Sequence, residues 1–139
     1  MKARRIRLLQ LTALMAFIVG CGGSGPTTPA PFTQTIGGTV SVFGSTVHTL
    51  SISRTGQMSL VLTWADPTID LDLYLALPSC TTQLYPQALC GIYLASNTAI
   101  GAVRETIVRQ VNSGEAYTIW VDNLNNAKAT TYNLNLTIQ

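Results

Sequence analysis

The 139-residue chain has a mass of 14.9 kDa, enough for one ordinary domain, and its 10% charged and 47% hydrophobic residues exclude a disordered or fibrous protein. Four of the eight basic residues, Lys2, Arg4, Arg5 and Arg7, fall in the first seven positions. The others, Arg54, Arg104, Arg109 and Lys128, face six acidic side chains, so the body is acidic by two and has no basic footprint for nucleic acid.

After the early cations, residues 8–19 form an apolar stretch. It is shorter than the roughly 20 residues that span a bilayer and suits the core of an export signal. It closes on Ile18-Val19-Gly20-Cys21, which resembles the lipobox of bacterial lipoproteins. That resemblance implies a signal peptide over 1–20, cleaved where small Gly20 admits the peptidase. It also implies a diacylglyceryl group on the Cys21 thiol, with the freed amine open to acylation. Two or three chains make a stable anchor where one does not. Gly22, and not Asp, follows the cysteine, which within the resemblance points to the outer membrane and leaves the periplasmic or surface face open.

Residues 21–34 read as a lipid-anchored flexible linker. Its GGSGPTTPAP run has no charge and no apolar period. Ten such residues reach roughly 35 Å when extended, so the body would stand just off the lipid.

From residue 35 to 139 the apolar period is two. Val40 and Val42 alternate with Ser41. His48, Leu50 and Ile52 form a set that excludes Val47. Met58, Leu60, Leu62 and Trp64 make the clearest run, with Trp64 assigned to the core. Leu71, Leu73, Leu75 and Leu77 follow, interleaved with Asp72, Tyr74 and Ala76. Ile92 and Leu94 form a short run; Ile107 and Val111 come next. Tyr117, Ile119 and Val121 precede the closing set of Tyr132, Leu134, Leu136 and Ile138. Breakers separate them at Gly44-Ser45, Thr55-Gly56, Asp66-Pro67, Pro78, Asn112-Ser113-Gly114 and 123–126. The pattern predicts an all-β fold of about eight strands, an antiparallel two-sheet sandwich of jelly-roll-like form with one solvated face per sheet.

With Cys21 given to lipid, Cys80 and Cys90 remain as an even pair in an oxidising compartment. A disulfide between them would staple a long inter-strand loop, worth roughly 2.7 kcal/mol on chain entropy. The spacing fits neither a redox motif nor a zinc site.

Three stretches resemble the bacterial pre-peptidase C-terminal domain. They are Val47-His48-Thr49-Leu50-Ser51-Ile52, Asp70-Leu71-Asp72-Leu73-Tyr74-Leu75, and Ser113-Gly114-Glu115-Ala116-Tyr117-Thr118-Ile119-Trp120-Val121-Asp122-Asn123 followed by Tyr132-Asn133-Leu134-Asn135-Leu136-Thr137-Ile138. The resemblance implies a β-sandwich with an accessory, binding or targeting role and no catalytic residues. Two features depart from the family: the domain is expected to stand alone on its lipid anchor instead of beside a peptidase, and the segment between Cys80 and Cys90 is foreign to its pattern.

Catalysis finds little support. His48, the only histidine, shares a face with Leu50 and Ile52, and Glu105 and Glu115 read as solvated. Asp70 and Asp72, two apart on one strand, point the same way and with Asp66 and Asp122 form a candidate calcium set. Tyr74 and Trp120, out of phase with the inward residues, form a candidate binding surface for a protein partner, matrix polymer or polysaccharide. The leading expectation is therefore a membrane-anchored, non-catalytic binding or accessory domain. The alternative is an assembly accessory of an envelope complex or of a secreted hydrolase.

Overall fold

The computed structural model describes residues 29–80, 93–97, 101–124 and 127–139. The expected signal peptide, Cys21, most of the linker, and Cys90 lie outside the described residues.

Eight strands follow in chain order: β1 (Phe32–Val40), β2 (Ser45–Ser51), β3 (Gly56–Trp64), β4 (Leu71–Ala76), β5 (Tyr93–Asn97), β6 (Arg104–Val111), β7 (Ala116–Asn123) and β8 (Thr130–Ile138). They form two four-stranded sheets, β1-β8-β3-β6 and β2-β7-β4-β5, and every pairing is antiparallel. This is the eight-stranded double-sheet jelly roll. Strand β1 begins at Phe32, three residues inside the expected linker, because Phe32 and Ile36 pack against the core and Phe32 pairs with Ile138.

The inward alternation holds through most strands. Met58, Leu60, Leu62 and Trp64 of β3 face Leu71, Leu73 and Leu75 of β4 and Ile119 and Val121 of β7 in one buried cluster. Each such side chain contributes about 1.5–3 kcal/mol of transfer free energy. The Trp64 indole N–H donates to the Ile69 carbonyl at 2.9 Å, which folds the β3–β4 connection back over the core. Val42 and Leu77 are exposed instead of inward, since each lies just past the end of its strand.

Between β2 and β8 the sandwich edge is closed by a polar link. His48 Nε2 and Tyr132 Oη lie 2.6 Å apart. Gly38 of β1 makes this possible, because a Cβ there would overlap the Tyr132 phenol. At the opposite edge Glu105 of β6 is buried, at 1% exposure, and accepts the Leu73 amide of β4 at 2.7 Å. The expectation that Glu105 is solvated is thus corrected: its parity is that of Ile107, and a backbone donor satisfies the carboxylate inside.

The sheet of β2, β7, β4 and β5 departs most from the expected pattern. Strand β7 is buried on both faces from Tyr117 onward, and so is most of β4. Ala76, Cys80 and Trp120 form a second apolar cluster, with Tyr74 packed against it. The chain turns back at 77–80 through a Cys80 amide to Leu77 carbonyl bond of 2.9 Å, and so lays Cys80 on the outer face.

The strand order also sorts the connections into two poles. Residues 41–44 and 65–70 and the chain between β7 and β8 lie at one, because Val40 is opposite Thr130, Ser45 opposite Asp122 and Leu71 opposite Asn123. The chain entering β1, residues 52–55 and 112–115, and the end of β8 lie at the other.

Candidate functional site

The two rings expected to form a binding surface do not. Trp120 is only 3% exposed and belongs to the cluster with Cys80, and Tyr74 is half-buried against it. Tyr74 and Trp120 are indeed cross-strand neighbours on the outer face, as their phase requires. That face is covered, so the rings pack instead of presenting themselves. Cys80 is buried and disulfide-bonded; its expected partner Cys90 lies outside the described residues.

Nor do the four aspartates meet as a calcium site. Asp72 and Asp122 are direct cross-strand partners, and both are buried. Burial raises the Asp72 pKa, the Tyr74 hydroxyl bond at 3.0 Å opposes this, and the charge of Asp70 adds to the rise. Asp66 is occupied elsewhere: its Oδ1 accepts the Thr68 amide and hydroxyl, and its Oδ2 pairs with Lys128 Nζ at 3.0 Å. These bonds, the Thr68 hydroxyl first, hold its pKa down to about 2. Among the described residues no group of three or more acidic, His or Cys side chains could hold a metal ion. Shared strand parity gathers Asp70 and Asp72, whereas a turn bonded to Lys128 takes Asp66 out of the set.

The histidine is likewise a strut. Its neighbour is a phenol, and burial lowers its pKa, so the imidazole stays neutral near pH 7. Glu115 accepts the Asn112 amide and side chain and the Tyr117 hydroxyl, which hold its pKa at about 2 and brace the β6–β7 turn.

The most exposed of the large apolar side chains among the described residues lies at the pole of residues 41–44. Phe43 is 60% exposed at the tip of the β1–β2 turn, and Val42 beside it is also exposed. Its φ of 47° lies in the left-handed region that bulky residues avoid. Sequence reasoning passed over Phe43 because it precedes the Gly44-Ser45 breaker; the available signal was an aromatic side chain inside a turn. At the opposite pole, Arg54 donates to the Ala30 carbonyl at 2.6 Å and sits over the Phe32 ring, beside a groove of about 640 Å³ lined by Pro29, Pro31, Ser53, Thr55 and Gln139.

No protein-family model matches the chain, and no curated protein matches it. Solved structures do. A Yersinia pseudotuberculosis-derived mitogen superposes with a TM-score of 0.55 at 18% identity, covering 79% of this chain and 88% of that one. The Aeromonas hydrophila periplasmic inhibitor of g-type lysozyme gives 0.53 at 14% identity, covering 77% and 86%. The pre-peptidase C-terminal domain of a Bacillus anthracis collagenase gives 0.54 at 19% identity, covering 75% and 88%. The likeness is one of fold. It agrees with the pre-peptidase-type sandwich that the strand motifs resemble.

Proposed function

We propose that the protein is an exported lipoprotein whose jelly roll is a non-catalytic binding or accessory domain. One observation carries the non-catalytic part. The side chains that most often do chemistry are used as struts: His48 on Tyr132, Glu105 on the Leu73 amide, Asp72 on Tyr74, and Asp66 on Thr68 and Lys128. The solved neighbours of like fold include a lysozyme inhibitor described as periplasmic and the pre-peptidase C-terminal domain of a collagenase, which fits a non-catalytic module outside the cytosol.

The anchor rests on the lipobox at Ile18-Val19-Gly20-Cys21, with a Cys80–Cys90 disulfide tying the start of the β4–β5 connection over Trp120. The tether would join at Phe32 and place the β1–β2 turn at the pole away from the lipid. The partner is a protein, matrix polymer or glycan in the envelope, with assembly of an envelope complex or service to a secreted hydrolase as the second reading. Phase partitioning in detergent tests the anchor. The wild-type chain should enter the detergent phase and Cys21→Ser the aqueous phase; a wild-type chain that stays aqueous refutes it.

A further inference from the structure

We infer that the turn at 41–44 is the docking element of this domain, and that its partner is a protein accepting the Phe43 ring in an apolar recess. This rests on the reading of the domain as a binding module and names its contact.

The turn is rigid. The Gly44 amide donates to the Ser41 carbonyl at 3.1 Å, and the Gly44 carbonyl accepts the Asn123 amide at 2.9 Å, pinning the tip to the end of β7. A Cβ at Gly44 would overlap the Ser41 hydroxyl and crowd the Ser41 carbonyl at 3.1 Å, so a side chain there would force Ser41 to move. Phe43 occupies the third turn position with positive φ, where Gly or Asn is the stable choice. An aromatic ring is therefore held in water, at a conformational cost, on a frame that needs no ordering when it binds. That combination is what a preorganised interface anchor requires.

The surroundings select the partner. No Asp, Glu, Lys or Arg occurs from Phe32 through Ser53, so recognition along this hairpin is apolar, with hydroxyls around it. A glycan stacked on the ring would be oriented by planar carboxylate or amide side chains beside it, yet the neighbouring Asp122 and Asn123 are buried and only hydroxyls such as those of Ser41 and Ser45 are exposed there. The hollow lined by Gly44, Asp122 and Leu124 holds about 10 Å³, room for a water and not for the ring of a second copy. A protruding ring on a convex tip fits a concave protein surface.

Site-specific photo-crosslinking tests this with the full chain in its own envelope. Benzoyl-phenylalanine replaces Phe43 in one form and, as a control, Val108 on the outer face of β6, which is 56% exposed. The expected result is one dominant protein adduct from position 43 that position 108 does not give. The purified adduct protein should then bind Phe43→Ala at least tenfold more weakly than wild type. Phe43→Gly should weaken binding equally while raising the melting temperature, a readout that a merely structural ring would not give. An adduct with a second copy, a glycan or a lipid, no adduct at all, or undiminished binding of Phe43→Ala overturns the inference. The crosslink reads the turn whether or not Cys21 is acylated, so its failure is distinguishable from failure of the anchor.

Discussion

Replacing Trp120 with Ala separates a covered outer face from an open one. The ring is 3% exposed in a cluster with Ala76 and Cys80, and its Nε1 has no hydrogen-bond partner among the described residues. Truncation therefore strands no polar group and acts through lost burial and the cavity left behind. Buried Phe or Trp to Ala changes cost about 3–5 kcal/mol, and the lower half of that range applies where no hydrogen bond is broken. For a domain of this size about 1 kcal/mol moves the melting temperature by roughly 4 °C, so Trp120→Ala should melt about 12–16 °C lower. Val108→Ala, on the exposed face of β6, should stay within about 0.5 kcal/mol of wild type. Thermal unfolding followed by circular dichroism measures both. In a Trp64→Phe background, fluorescence isolates Trp120: its emission should be blue-shifted and should move red when the Cys80 disulfide is reduced. A Trp120→Ala melting point within 3 °C of wild type, or emission already typical of water, would refute the covered face.

Two further outcomes follow from other parts of the structure. Gly38→Ala should destabilise the domain by about 1–3 kcal/mol by overpacking, because the new methyl overlaps the Tyr132 phenol and disturbs its link to His48; an unchanged melting point would show that the β2–β8 edge yields freely. The pH dependence should carry two opposite signs. Asp66 and Glu115, held at about 2 against ordinary values of 3.8 and 4.5, bind fewer protons folded than unfolded, so their stabilisation is present above pH 4.5 and is lost on acidification toward 2. Asp72, raised by burial, contributes stability below its ordinary value of 3.8 that is lost as pH rises through its folded pKa. Asp72→Asn should therefore gain on wild type at neutral pH and lose that advantage in acid, in melting curves across pH 3–8; a constant difference would contradict the assignment.

Much of the fold was legible because a sandwich core repeats every second residue. Met58 to Trp64 and Tyr132 to Ile138 show that period without interruption, and both runs are core. Glu105 was legible in parity, since it alternates with Ile107, but its charge argued for water, and the Leu73 amide that satisfies it comes from the other sheet. The outer face of β4 and β7 was not legible. Alternation distinguishes the two faces of a strand and is blind to whether a later segment covers the polar one. Cys80 returning over Trp120 is such a segment, and it turned an expected binding surface into a second core. The aspartates failed as a set for a related reason: strand parity places Asp70 and Asp72, whereas the Asp72–Asp122 register and the Asp66–Lys128 pair are tertiary. Phe43 was hidden because its importance lies in a φ of 47° and its exposure, neither of which a period reports.

Export and membrane anchoring, the central part of the proposed function, depend on Cys21. Intact-mass and peptide mass spectrometry of the protein extracted from its own membranes reads that position directly. The predicted result is a mature chain beginning at Cys21 that carries a diacylglyceryl thioether. A chain that still begins at Met1, with a free Cys21 thiol, would contradict lipid anchoring.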